Sequence, residues 1–244
     1  MLKKIAVVLL ILVPCSLQAE SATAQEGGLE GHSEALGATG PLAAADAERN
    51  IEVALQYRAE GHLPQAIRLM EQTLQQHPRH ATSRAVMADL LREKGDHEAA
   101  LAMIDKAIAL DDSVALFHVS RALMYLPFQR YDEALSDLDR AIALDPDLIA
   151  ARFNRGSLLA QRERYEQALQ DFDYCIAADP HLPAPYFNRG SVRYSLGMKE
   201  QAVADIEHFI KLTDNEDWKQ SARELLQTWQ ERQKEAGETH AGTP

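Results

Sequence analysis

The chain has 244 residues, 46 % hydrophobic and 25 % charged, with 12 glycines and 10 prolines, which excludes collagen, bulk disorder and a whole-chain coiled coil. Its formal net charge of −12 argues against generic binding to nucleic acid, because both surfaces would be negative. Two cysteines make neither a disulfide scaffold nor, alone, a four-ligand zinc site.

Residues 1–19 read as a secretory signal peptide. Lys3 and Lys4 supply the positive start, Ile5 to Val13 is an unbroken apolar run, and Pro14 ends it. The run falls short of the ~20 residues a membrane-spanning helix needs. Cleavage fits after Ala19 or after Ala24. Cys15, followed by Ser16, offers the alternative of lipidation, although Pro14 stands where a small residue is normal. Removing residues 1–19 takes away two lysines and no acid, so the mature net charge is −14, with Cys175 as its one cysteine. Such a chain has no internal disulfide and is stabilised by packing. The expectation is an exported protein, periplasmic, with a lipid anchor through Cys15 or secretion as alternatives, and no transmembrane segment in the mature chain. Residues 20–46 carry few large apolar side chains and no aromatic, and read as a disordered linker.

From residue 47 the chain repeats itself. Ala66, Ala100, Ala134, Ala168 and Ala202 are spaced 34 apart, and an acid stands two residues before four of them: Glu98, Asp132, Glu166 and Glu200. Turn signals such as Gly61-His62, Gly95-Asp96 and Gly197-Met198 lie just upstream. Pro78, Asp112, Pro146, Pro180 and Asp214 follow twelve residues after each alanine, and Phe153-Asn154-Arg155-Gly156-Ser157 recurs unchanged as Phe187-Asn188-Arg189-Gly190-Ser191. Ala134, Leu138, Ala141, Ile142 and Ala168, Phe172, Cys175, Ile176 each have the spacing of one buried helical face. Small residues let paired helices approach closely, and Leu63, Met70, Ile104, Leu138, Phe172 and Ile206 fill the remaining contacts.

This spacing resembles the tetratricopeptide repeat, a helix–turn–helix unit. Five ungapped units fit: 47–80, 81–114, 115–148, 149–182 and 183–216. The small residue late in each first helix is Ala54, Ala88, Ala122, Gly156 and Gly190; the family's early aromatic is Tyr186 in the last unit, but Asn50, Arg84, His118 and Arg152 elsewhere. The resemblance implies an all-α, right-handed superhelical solenoid with a concave groove, lined by first helices, that takes a protein or peptide partner. Residues 217–234 are expected to form a C-terminal capping helix, started by Asn215 or Asp214, with Trp218, Ala222, Leu225, Leu226 and Trp229 on one stripe; 235–244 read as a flexible tail.

Motifs for catalysis are missing: there is no GxxxxGK[ST] phosphate loop and no HExxH. His77-Pro78-Arg79-His80 reads as a surface turn lacking nearby carboxylate partners, Cys175 as a small buried hydrophobe, and the pairs Asp137 with Asp139 and Asp171 with Asp173 as solvated faces. The chain is therefore expected to be no enzyme, with no cofactor, no metal and no nucleic-acid partner. The resemblance assigns the groove to Val119, Leu123 and Leu126 in the third unit, Phe153, Asn154, Ser157 and Gln161 in the fourth, and Phe187, Asn188, Ser191 and Tyr194 in the fifth. Asn154 and Asn188 have two readings, a ligand for peptide backbone or a bond to the neighbouring repeat. Arg155 and Arg189 are expected on the packing side. In the first two units the comparable stripe is charged: Glu48, Glu52, Arg58, Asp89, Arg92 and Glu93. The partner's identity and the oligomeric state are not legible in the sequence.

Overall fold

The structure, a computed structural model, describes residues 41–241 and the side chains of 45–232. The expected signal peptide, Cys15 and residues 20–40 of the expected linker lie outside the described residues. Among the described residues every regular element is helical: α1 (Pro41–Ala59), α2 (Leu63–Gln76), α3 (Ala81–Lys94), α4 (His97–Leu110), α5 (Ala115–Tyr125), α6 (Tyr131–Leu144), α7 (Ile149–Gln161), α8 (Tyr165–Ala178), α9 (Pro183–Ser195), α10 (Lys199–Leu212) and α11 (Glu216–Ala241). A 3-10 turn, Leu126–Phe128, follows α5. None of the described helices is long and apolar enough to cross a membrane. Contacts divide the described residues after Ala151 into two units.

Two boundaries differ from expectation. Helix α1 begins at Pro41, inside the segment read as linker. Pro41 is favourable in a first turn and three alanines follow closely, so local propensity extends the helix past the repeat pattern. Helix α11 runs to Ala241, through most of the segment read as tail. Lysine, glutamate and alanine are good helix formers, and the single Gly237 costs only about 1 kcal/mol.

Within the first unit, Ala66, Met70, Ala100 and Ile104 are fully buried with Ala54 and Ala88 in one apolar cluster. In the second, Ala202, Ile206 and Phe209 are fully buried with Ala222 and Trp229. Met70, Ile104, Leu138, Phe172 and Ile206 occupy one register, and each is at most 2 % exposed. Burying one such side chain contributes about 1.5–3 kcal/mol. Small residues opposite make this approach feasible. A Cβ on Gly156 would lie 2.9 Å from the Phe172 ring, and one on Gly190 would lie 3.1 Å from the Ala202 carbonyl.

The turns repeat as strictly as the core. Within each helix pair the connecting turn has one left-handed residue: Gly61, Gly95, Gln129, Glu163 and Gly197, with φ of 79°, 90°, 57°, 59° and 80°. Glycine adopts this conformation at little cost, whereas Gln129 and Glu163 are strained. At the ends of α4, α6 and α8, Asp111, Asp145 and Asp179 each accept a hydrogen bond from the backbone N–H two residues on, at 3.0, 3.1 and 2.9 Å. That side-chain turn explains the aspartate before Asp112, Pro146 and Pro180.

Candidate partner-binding site

The surface assigned to a partner is built by the first helices, and the structure sorts its residues by reach. In the first unit Val119 is fully buried, Leu123 is 7 % exposed, and Leu126, at the 3-10 turn, is half-buried. In the second unit Phe153 is buried against Phe172, with ring centres 6.0 Å apart, and Phe187 against Phe209 at 5.1 Å. Ser157 is fully buried and accepts a 2.9 Å hydrogen bond from the Asn188 amide. The nitrogen of Asn188 therefore bonds the neighbouring repeat, one of its two readings, while its Oδ1 has no partner. Asn154 is 1 % exposed, and neither its oxygen nor its nitrogen has a hydrogen-bond partner. Gln161 is exposed at the end of α7; Ser191 and Tyr194 are half-buried. The Ser191 hydroxyl donates to the Phe187 carbonyl at 3.0 Å. Tyr194 stacks on Trp229 of α11, with centroids 4.0 Å apart and planes 7° from parallel. Asn215 caps α11, its side chain accepting from the Trp218 N–H at 2.9 Å.

Several readings of charged residues need correction. Asp137 and Asp171 are not solvated: they are 6 and 2 % exposed, and Asp205, at the same register in the last repeat, is 4 % exposed. Each receives an arginine sixteen residues upstream. Arg121 donates twice to Asp137 at 2.7 Å, Arg155 to Asp171 at 2.8 and 2.7 Å, and Arg189 to Asp205 at 3.0 and 2.7 Å. Arg121 also reaches Asp105 at 3.1 Å, and Arg189 reaches Asp173 at 2.7 Å. Residues two apart on a helix point to opposite sides, so one aspartate of each pair turns inward. The twofold bond to Asp137 holds the Arg121 guanidinium above its ordinary value, against burial. Burial alone would lower Arg189, but the bonds to Asp205 and Asp173 outweigh it.

The charged stripe of the first unit largely pairs with itself: Arg58 meets Glu93 at 2.7 Å, and Arg92 meets Asp89 at 3.8 Å. Burial pushes the Asp89 carboxyl above its ordinary value, more than the neighbouring Arg92 and Arg58 draw it down. His80 does have a carboxylate nearby: Glu48, 32 residues upstream on α1, lies 3.2 Å from its Nε2. Its Nδ1 caps α3 by accepting from the Ser83 N–H at 3.3 Å. Among the described residues no group of three or more His, Cys, Asp or Glu is arranged to hold a metal ion. The Cys175 thiol is fully buried and burial, aided by Asp171, pushes it up to about 12, so it stays protonated at neutral pH.

The varied residue early in the first helix has a shared job in three repeats that the sequence reading missed. Arg84 donates to the Pro78 carbonyl, His118 through Nε2 to that of Asp112 at 3.1 Å, and Tyr186 to that of Pro180 at 3.3 Å. Each bond runs six residues back and ties the inter-repeat turn to the next helix. Chemically unlike side chains do it, so only the register could have signalled it.

Comparison with known proteins fits this geometry. Models of the tetratricopeptide repeat family match residues 57–121, 121–184 and 184–216. The chain belongs to the tetratricopeptide repeat family. Its solved structural neighbours carry the same solenoid fold. PilF of Pseudomonas aeruginosa is 18 % identical with a TM-score of 0.67, over 82 % of this chain and 95 % of that one. A tetratricopeptide repeat protein from Parabacteroides merdae is 22 % identical with a TM-score of 0.63, over 79 % and 74 %. YrrB, described as a TPR protein with an unusual peptide-binding site, is 20 % identical with a TM-score of 0.55, over 72 % and 90 %. No curated protein matches the chain by sequence. The family's members are in general non-catalytic scaffolds, and the fold is one for binding protein partners.

Proposed function

We propose that this chain is a non-catalytic protein-interaction adaptor that receives a peptide or extended partner segment along the first-helix stripe of its second unit. The carrying observation is the amide of Asn154, 1 % exposed with no partner for either polar atom. Leaving such a group unmet costs about 1–3 kcal/mol, so a ligand that displaces the side chains covering it and bonds the amide recovers free energy. Asn154, Ser157 and Gln161 follow one another by three and four residues on α7, so they share a helix face. Asn188, with an unmet Oδ1, and Ser191 continue that register on α9. Amides suit a peptide backbone because each offers both donors and an acceptor. YrrB, of the same fold, is described as binding peptide. The amino-terminal sequence adds export to this reading, with the periplasm as the compartment.

Photo-cross-linking in living cells tests it, with the photoreactive residue at Gln161 and a control at the exposed Glu166 on α8. The proposal expects one dominant protein captured from position 161 and not from 166. Equal, unspecific capture from both would contradict it. Intact mass of the protein recovered from cell fractions tests export. A chain beginning at Glu20 or Gln25 supports a soluble exported form, and a lipid on Cys15 supports an envelope-anchored assembly factor instead.

A further inference from the structure

The third repeat departs from its neighbours at the turn between its helices. Where α7 and α9 continue to Gln161 and Ser195, α5 stops at Tyr125 and is followed by the 3-10 turn Leu126-Pro127-Phe128. Proline lacks the N–H that another α-helical turn requires. The turn is closed by Gln129, left-handed at φ 57°, and by the Arg130 N–H bonded to the Tyr125 carbonyl at 3.2 Å. Its effect is to hold Phe128 out beside α4, 38 % exposed, with His97 edge-on to the ring at 6.5 Å.

Between this turn and α4 lies an open cleft of about 320 Å³, lined by Glu98, Leu101, Ala102, Asp105, Phe128 and Arg130. That is near the lower end of ligand-site volumes, about 300–1,000 Å³, and suits one long side chain. Leu101, Ala102 and Phe128 form an apolar floor. Arg130 is already engaged: it bonds Glu133 at 2.9 Å and stacks over Tyr125 at 4.3 Å. Asp105 is half-exposed and gives one oxygen to Arg121. Glu98 is exposed and joins no ion pair among the described residues. The unbalanced charge of the cleft is therefore negative.

We propose that this cleft is a second docking point, which takes a lysine or arginine from a basic segment of a partner protein. The stem of such a side chain would lie along Leu101 and the Phe128 ring, and its cationic head would reach the carboxylate of Glu98, with Asp105 beside it. Phe128 adds the attraction of an aromatic face for a cation. Other pair turns carry Glu60, Lys94, Arg162 and Leu196 at the register of Phe128, so this arrangement belongs to the third repeat alone.

The test is an NMR titration of the isotope-labelled mature chain with a short amidated peptide alternating leucine and arginine, against one alternating leucine and glutamate. The basic peptide is expected to shift the amides of Glu98, Leu101, Ala102 and Phe128 saturably, and the acidic one to leave them unmoved. Phe128→Ala and Glu98→Lys, both at exposed positions, are each expected to weaken binding roughly tenfold while leaving the remaining spectrum intact. Shifts spread over the whole surface, equal response to both peptides, or affinity unchanged in both variants would overturn the proposal. Shifts that grow with protein concentration in the absence of peptide would also overturn it, by assigning the cleft to a second copy of the chain.

Discussion

Gly190 shows how much of this molecule rests on single atoms. A methyl group there would sit 3.0 Å from Ile206, 3.1 Å from the Ala202 carbonyl and 3.1 Å from the Asp205 Cβ. The isoleucine tip can yield; backbone cannot. Gly190→Ala is expected to destabilise by about 1–2 kcal/mol in chemical denaturation, although alanine is the better helix former. Glu163 presents the opposite case. Its φ of 59° suits glycine, and Glu163→Gly is expected to raise stability by about 1 kcal/mol, read as a higher denaturation midpoint at unchanged slope. Asp89 makes stability depend on pH. Burial raises its carboxyl, so the folded chain binds that proton more tightly than the unfolded one. Its favourable contribution is complete below the unfolded value of about 3.9 and is lost as pH rises through the folded value. Asp89→Asn is expected to melt higher than the parent chain at neutral pH, with the advantage shrinking on acidification. An advantage that grows in acid would reverse the assignment.

At the scale of elements, the arginine–aspartate pairs join first to second helix in three repeats: α5 to α6, α7 to α8 and α9 to α10. Asp137 is 6 % exposed and receives the Arg121 fork, with the His118 Nδ1 3.3 Å away. Arg121→Ala strands that carboxylate and is expected to cost about 3 kcal/mol or more in chemical denaturation. Replacing both partners by leucine is expected to cost much less; equal losses would mean that the arginine acts through packing alone. These pairs were visible in the sequence as a register but not as contacts. Arg121, Arg155 and Arg189 recur every 34 residues, as do Asp137, Asp171 and Asp205, yet so do the outward Asp139 and Asp173. Periodicity alone does not say which of two neighbouring acids turns inward. The alanine and large-apolar registers were legible because one physical demand, close helix approach, recurs unchanged. The shared task of Arg84, His118 and Tyr186 was hidden because different groups meet the same carbonyl. The candidate site was legible as a stripe but not in depth: Phe153, Asn154 and Ser157 read as wall residues and lie under the surface, leaving Gln161 exposed. Ends were less legible than interiors, since α1 and α11 extend by local propensity where the repeat stops.

For the molecule as a whole, each unit holds an apolar cluster, from Ile51 to Met124 in the first and from Tyr186 to Trp229 in the second, and α11 closes the last repeat through Tyr194 and Trp229. An array of this kind needs its terminal face covered to stay soluble. Against that economy, the empty amide of Asn154 is an exception that folding alone does not reward, and it carries the proposed function. The thermal midpoint of Asn154→Leu is therefore the most direct measurement. Leucine is close in size and removes both unmet polar atoms. If the amide is held for a partner, the free variant melts above the parent chain and loses the cross-link from Gln161. A lower midpoint, by the equivalent of about 1–3 kcal/mol, would mean that the amide is bonded within the fold, and it would contradict the site proposed for the partner.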